Sequence, residues 1–145
     1  MRTLLPSLKS IKISHCPELE SFPEGGLPCE LESLFISDCE RLVENRTQWG
    51  LLQLTSLRQL LIMFQKCEEE IDSFPEEGLL PTTLTQLRFG CLSNMKTINS
   101  KELKRLIFLE SLTILNCPEL LCLPDDDGIP ISLSHLTILR CPLVT

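Results

Sequence analysis

Residues 10–19 read SIKISHCPEL and residues 111–120 read SLTILNCPEL, so nearly the same ten-residue stretch occurs twice in one chain of 145 residues. Counted from Leu8, apolar residues recur at offsets of 3, 5, 11 and 14 residues, and a cysteine lies at offset 8. The same offsets counted from Leu109 describe the second stretch. Similar runs begin at four more leucines, so that six starts lie 23 to 27 residues apart, at positions 8, 31, 57, 84, 109 and 133.

The spacing within each run matches L-x-x-L-x-L-x-x-N/C, which is the pattern of a leucine-rich repeat. Offsets 3 and 5 lie on the same face of a strand, and the rest of each run has to return the chain so that the next strand pairs about 4.8 Å away. We therefore predict a single domain over residues 1–145, with the fold of an α/β-type solenoid. It is a horseshoe segment of about six leucine-rich repeats, with short parallel strands on the concave face and mostly irregular loops on the convex face.

The return segments contain proline rather than helix signals. Pro28, Pro81 and Pro130 each lie three residues before a start, where proline disfavours helix and favours an extended chain. We expect only short helices on the convex side, within residues 103–108 and 46–56. The third run loses its register near position 65, and the fourth has leucine in place of cysteine at offset 8.

The cysteines at offset 8 are Cys16, Cys39, Cys117 and Cys141, and we predict that they form a buried row of thiols without disulfides. A metal site is the functional alternative. The chain contains no C-x-x-C pair and only two histidines, His15 and His135, so no recognisable set of metal ligands is present. We expect no metal site.

The charge of the chain excludes some partners. Its 20 acidic and 13 basic residues give a net charge of −7 and a pI near 4.8, whereas nucleic-acid binding requires a basic face. No apolar run approaches the ~20 residues of a membrane span, and residues 1–13 lack the apolar core of a secretory signal. We expect no nucleic-acid partner, no membrane span and a cytoplasmic or nuclear location, where cysteines stay reduced.

Catalytic patterns are missing from the sequence. The two histidines fall in the first and last runs, so no nucleophile, base and acid come together. The acidic clusters at 68–70 and 125–127 lack the ligand spacing of a calcium loop. No G-x-x-x-x-G-K-[ST] loop is present to bind nucleotide phosphates. We expect a protein that is not an enzyme and needs no cofactor.

Four phrases carry more than the general repeat pattern: CPELESFPEGGLP (16–28), WGLLQLTSLRQL (49–60), SFPEEGLLPTTLTQL (73–87) and CPELLCLPDDDGIPISLSHLTILRCP (117–142). As a set they resemble the C-terminal leucine-rich repeats of plant nucleotide-binding disease resistance proteins of the coiled-coil class. In that family, repeats of the form L-x-x-L-x-I-x-x-C-P-x-L-x-x-L/F-P end the chain. The resemblance extends over essentially the whole sequence.

The resemblance implies a protein-interaction module of a plant intracellular immune receptor. The expected partners are a pathogen effector or a guarded host protein. A further expected partner is the nucleotide-binding module of the parent receptor, which this domain would hold inactive. The coiled-coil and nucleotide-binding parts are not in this sequence. The resemblance therefore implies a fragment, a truncated gene product or a repeat-only relative.

Side chains at offsets 2, 4, 6 and 7 are predicted to point away from the core on the concave face. Apolar residues gather there in the second and third runs, and contiguous outward apolar residues indicate a contact surface. The alternative is that this patch docks within the parent protein. The predicted protein-binding residues are Lys12, Phe35, Leu61, Met63, Phe64, Arg88, Leu115, Leu139 and Arg140.

Two other classes of repeat protein remain open. The substrate-binding repeats of F-box ubiquitin-ligase adaptors also place cysteine after the strand, but they tend to continue into a helix. Extracellular receptor repeats have asparagine at that position and a Gly-x-Ile-Pro sequence, where this chain has cysteine. Sequence upstream of the chain distinguishes the three classes.

Overall fold

The computed structural model describes residues 8–22, 27–45, 49–64, 73–121, 123 and 129–144. Six strands form one parallel sheet, the main sheet, in the order β1-β2-β3-β5-β7-β8, and two short strands form a second parallel sheet, β4-β6. Each main-sheet strand begins two residues after one of the predicted starts. The strands are β1 (Ser10–Ser14), β2 (Ser33–Ser37), β3 (Gln59–Met63), β4 (Ser73–Phe74), β5 (Gln86–Gly90), β6 (Thr97–Ile98), β7 (Ser111–Leu115) and β8 (His135–Leu139).

Residues at equal offsets lie side by side throughout the main sheet. The offset-5 residues form one continuous row from Ile13 through Ile36 and Ile62 to Phe89, and onward through β7 and β8. In β2 and β3 the second and fourth residues are buried and their neighbours half-buried, which is the alternation expected of a strand with one face on the core. The predicted solenoid of parallel strands with little helix is confirmed.

A repeated hydrogen-bond pattern aligns each strand with the next one. The carbonyl of Lys9 accepts from the backbone N–H groups of both Glu32 and Ser33, at 2.7 and 2.9 Å. In each later repeat, one carbonyl likewise accepts from two successive N–H groups at the start of the following strand. These carbonyls belong to Glu32, Arg58, Thr85 and Glu110. We call this pattern the offset-1 carbonyl ladder. It fixes the register before the strands begin and uses only main-chain atoms.

The prolines that precede the starts begin turns. The carbonyl of Pro28 accepts from Leu31 N–H at 3.1 Å, and Pro130 and Leu133 repeat the contact at the same distance. Before Leu57 the corresponding residue is Leu54, whose carbonyl accepts from Leu57 N–H at 3.1 Å. Because the first residue of such a turn supplies only its carbonyl, proline fits there without losing a hydrogen bond. The extended segment expected after each proline is therefore a turn followed by the strand.

The helices are short and partly differ from expectation. Helix α1 (Glu40–Glu44) follows β2 and was not predicted, and a single 3₁₀ turn (Leu51–Gln53) lies within the predicted stretch 46–56. The helix predicted at 103–108 is wrong: α2 spans Ser100–Leu103. Within the described ranges, no helix has the length and apolar character needed to cross a bilayer.

The position of α2 is set by its cap. The Asn99 side chain accepts from Glu102 N–H at 3.4 Å, so the helix starts earlier than the apolar pattern suggests. The chain then leaves the helix through tight turns that bring Leu106 and Leu109 into the core at 1% and 0% exposure.

The core lies between the main sheet and the return segments, and β4 and β6 stand on its far side. Phe74 of β4 is fully buried between Phe64 and Phe89, with ring centroids 5.4 and 4.8 Å away. Aromatic pairs at these distances add to the free energy of burial. This cluster fills the core at the place where the third run loses its register.

Candidate functional site

The outward face of the main sheet carries most of the predicted binding residues. We define it as the three residues of each main-sheet strand that alternate with the two core-facing ones. Its central row joins residues that are direct partners in the register of the sheet. In the order of the strands, this row is Lys12, Phe35, Leu61, Arg88, Thr113 and Thr137.

The middle of this row is apolar and lines a small depression. Phe35 and Leu61 are direct partners and both are half-buried. A shallow depression of about 130 Å³ lies over them, bounded also by Gln59, Gln86 and Arg88. The structure therefore brings together three of the predicted residues, Phe35, Leu61 and Arg88. The two glutamines were missed, because polar residues at offset 2 gave no signal in the sequence.

The other predicted apolar residues form a second row. Met63, Gly90, Leu115 and Leu139 are successive partners at offset 6. Gly90 has no side chain and separates Met63 from the two leucines, of which Leu139 is 52% exposed. Met63 lies two residues after Leu61 on the same face of β3, whereas Leu115 and Leu139 form a separate apolar pair on the last two strands.

The outward orientation predicted for Phe64 is wrong. Phe64 is 1% exposed and contacts the ring of Phe74 in the core. The residue that immediately follows each of the other five main-sheet strands has a positive φ of 52° to 64°, and Phe64 does not. A left-handed backbone is costly for a bulky residue, and the phenylalanine cluster offers its ring an apolar site. The side chain therefore turns inward.

The five residues with positive φ lie along one edge of the outward face: His15, Asp38, Cys91, Asn116 and Arg140. His15 Nδ1 and Asp38 Oδ2 are 2.8 Å apart, which links the first two strands by an exposed polar contact. The predicted residue Arg140 is exposed at the other end of this edge, beside an open depression that Asn116 also bounds. Arg140 is therefore outside the central group.

The offset-8 thiols behave as core groups with one recurrent hydrogen bond. Cys39 donates to the carbonyl of Ser37 at 3.2 Å, and Cys117 to that of Leu115 at 3.4 Å. Burial raises the pKa of the Cys39 thiol, and it raises the pKa of the Cys117 thiol from 9.0 to about 11. These thiols are therefore poor nucleophiles and poor metal ligands at neutral pH.

The prediction of a fully buried row is wrong for Cys16, which is half-buried at the end of the edge strand β1. Cys141, in the last strand's turn, is still buried at 9% exposure. The six described cysteines are free thiols. Within the same part of the chain, no three histidine, cysteine or carboxylate residues come together as a group able to hold a metal ion.

Comparison with known proteins gives one informative match. The chain is 42% identical, over 164 aligned positions, to a protein of Arabidopsis thaliana named "Putative disease resistance protein". The alignment includes 97% of this chain and 11% of the relative, so the chain spans about a tenth of the length of the curated protein it matches. No family model matches the sequence, and no solved structure matches it.

Proposed function

Because this chain belongs to the leucine-rich-repeat proteins of plant disease resistance, we propose that it serves plant defence as a protein-interaction module of an intracellular immune receptor. The family is shown by identity along nearly the whole chain together with the parallel-strand solenoid. The observation that carries the proposed role is the outward face, where Phe35 and Leu61 lie side by side and line a small depression. A face of this kind suits a protein partner, since the depression is small and shallow for a small-molecule site.

The finer role has two parts. In the first, the outward face contacts a pathogen effector or a guarded host protein. In the second, the domain holds the nucleotide-binding module of its receptor inactive. Both roles require only a binding surface, so the proposal includes no catalytic activity and no cofactor. We place the protein in the cytoplasm or nucleus, where the free thiols remain reduced.

The return segments favour this reading over an F-box adaptor. Repeats of the adaptor class tend to continue from the strand into a helix. In the described return segments the α-helices are α1 and α2, of five and four residues. The shortness of both helices supports the resistance-protein family over the adaptor class.

The experiment tests binding and inhibition together. The full chain and the coiled-coil and nucleotide-binding part of a resistance receptor are expressed as separate polypeptides in plant leaf cells. We expect the chain to co-precipitate with the receptor part and to reduce its cell-death response. The double variant Phe35→Ser, Leu61→Ser should lose both effects, while Lys101→Glu, an exposed change on α2, should keep them.

Two results would count against the proposal. Equal activity of the double variant and the unchanged chain would remove the outward face from the mechanism. Absence of both co-precipitation and inhibition would exclude the autoinhibitory part, and effector sensing would then have to be tested alone.

A further inference from the structure

The outward face differs in charge from the rest of the chain. The sequence has 20 acidic and 13 basic residues, yet no aspartate or glutamate occupies any of the three outward positions on the six main-sheet strands. The cations Lys12 and Arg88 do occupy this face, and both are exposed. An acidic protein thus presents one face that has an apolar centre and no acidic side chain.

The two cations stand at defined places relative to the apolar pair. Lys12 is the register partner of Phe35, and Arg88 is the register partner of Leu61, which gives the order cation, apolar, apolar, cation across four neighbouring strands. Three strand spacings of about 4.8 Å separate the two cations by about 14 Å. Within the described part of the chain, neither cation forms a salt bridge.

Two carboxylates on the first two repeats already have cationic or imidazole partners. Glu32 lies 3.7 Å from the ammonium group of Lys9, and Asp38 lies 2.8 Å from His15. Glu110 is exposed just before β7, the strand next to that of Arg88, but it lies outside the three outward positions of the strand. The charges that face a partner at the centre of the sheet are therefore those of Lys12 and Arg88.

We propose that this row binds an extended, acidic segment of a partner protein, with the pattern acid–x–apolar–x–acid, lying across the strands. In an extended chain the first, third and fifth side chains share one face, and the first and fifth are about 14 Å apart. The two carboxylates then meet Lys12 and Arg88, and the central apolar side chain enters the depression between Phe35 and Leu61. This inference rests on the proposed function and names the chemistry of its partner.

Polar groups beside the depression suit the backbone of such a segment. Gln59 Oε1 accepts from Ser33 Oγ at 3.2 Å, which leaves the amide NH₂ of Gln59 as a donor toward a bound carbonyl. Gln86 is exposed on the next strand and borders the same depression. Arg88 adds a planar guanidinium that pairs a carboxylate through two parallel hydrogen bonds.

The experiment measures fluorescence anisotropy of a labelled peptide, Ser-Gly-Glu-Thr-Leu-Thr-Glu-Gly-Ser, titrated with the full chain. We expect saturable binding that weakens with added salt. Replacing both glutamates of the peptide by glutamine should weaken it about tenfold or more. The charge reversals Lys12→Glu and Arg88→Glu should each cause a loss of the same size, since facing like charges disfavour a complex.

The matched control is Lys101→Glu, which makes the same charge change at an exposed residue of α2 and should alter binding less than twofold. Unchanged thermal unfolding midpoints of all three variants exclude misfolding as the cause. A single-stranded oligonucleotide serves as a second anionic probe and should bind far more weakly than the peptide.

Several results overturn the inference. The inference is wrong if the acidic peptide does not bind, or if the glutamine peptide binds as tightly as the glutamate peptide. It is also wrong if Lys101→Glu weakens binding as much as Lys12→Glu or Arg88→Glu, or if the oligonucleotide binds more tightly than the acidic peptide. A random peptide library selected on the chain then separates this failure from that of the proposed function. If the selected peptides are neutral and bind the unchanged chain but not the Leu61→Ser variant, the outward face is still a protein-binding site and only the acidic partner is wrong. If they bind the Leu61→Ser variant equally well, both proposals are wrong.

Discussion

Gly90 of β5 lies opposite Leu115 of β7, and the two strands approach so closely there that a Cβ atom on Gly90 would overlap with the carbonyl oxygen of Leu115. The same Cβ would lie 2.8 Å from the Cβ of Leu115. Both clashes involve atoms that no side-chain rotation moves away. The next residue, Cys91, has a φ of 64° and donates its N–H to the same carbonyl at 2.9 Å, which holds the two strand ends together.

Gly90→Ala should therefore destabilise the protein by about 1–3 kcal/mol, the range found when a packed site has to expand. Urea unfolding followed by circular dichroism measures the difference. Gln86→Ala in the same strand is the control, because its side chain is exposed and should change the free energy of unfolding by less than about 0.5 kcal/mol. An equal effect of the two variants would contradict the close approach.

Phe74→Ala should be among the most destabilising truncations in the chain. The side chain is fully buried and contacts Phe64 and Phe89, so its loss leaves a cavity that costs about 3–5 kcal/mol. Phe108→Ala is the matched control, because Phe108 is 57% exposed. Denaturant unfolding of both variants checks the prediction, and similar midpoints would show that β4 does not close the core.

Glu102 should contribute to stability through a buried carboxylate. One oxygen accepts from Gly78 N–H and from Arg105 Nη1, each at 3.0 Å, and the residue is 7% exposed. Glu102→Ala leaves the N–H of Gly78 without this acceptor and should cost about 1–3 kcal/mol. Glu102→Gln keeps a carbonyl oxygen for that bond and should cost less. Thermal melts of Glu102→Ala and Glu102→Gln test this prediction. An equal loss of stability in the two variants would show that the charge of Glu102, and not its hydrogen bond to Gly78, stabilises the protein.

Stability should fall in alkaline solution in a way that depends on Cys117. Its thiol has a folded pKa of about 11 against 9.0 for an ordinary thiol. Between these values the unfolded chain loses the proton and the folded chain keeps it, so the contribution is fully present below pH 9 and is lost as the pH rises to 11. The difference in pKa corresponds to roughly 2–3 kcal/mol.

Cys117→Ala isolates this contribution from lysines and other thiols that titrate in the same range. Its free energy of unfolding at neutral pH should be lower by about 1–2 kcal/mol, as for a small core truncation. Between pH 9 and pH 11 the gap should close and then change sign, because the alkaline loss of roughly 2–3 kcal/mol exceeds the about 1–2 kcal/mol lost on truncation. A gap that stays constant over this range would mean that Cys117 ionises as readily in the folded protein as in the unfolded chain.

The sequence predicted the main sheet well because its signal is local and periodic. Ile11 and Ile13 alternate within one strand, and equal offsets from Leu8 and Leu31 place the next strand in register. The buried thiols at Cys39 and Cys117 follow from the same counting. Each of these features depends on a few adjacent residues and on a period that repeats.

Features that depend on distant partners were missed. The inward turn of Phe64 depends on Phe74 and Phe89, which lie in later parts of the chain. Strands β4 and β6 have two residues each, too few to show a period. Helix α1 has no capping side chain at Cys39, and so its start carries no signal. On the outward face, the repeat offsets predicted both the apolar pair and the two cations, and the register of the sheet shows that the cations lie on either side of the pair.

The offset-1 carbonyl ladder also has a consequence for the gain and loss of repeats during evolution. Each strand offers the same main-chain acceptor to its successor and the same two N–H donors to its predecessor. Duplication or deletion of one whole unit, from one start to the next, therefore leaves every donor with an acceptor. Loss of part of a unit would instead break the match on both sides of the cut. Unequal recombination between units therefore preserves the backbone hydrogen bonds. It places the outward side chains of one unit beside those of a different unit while the core residues stay the same.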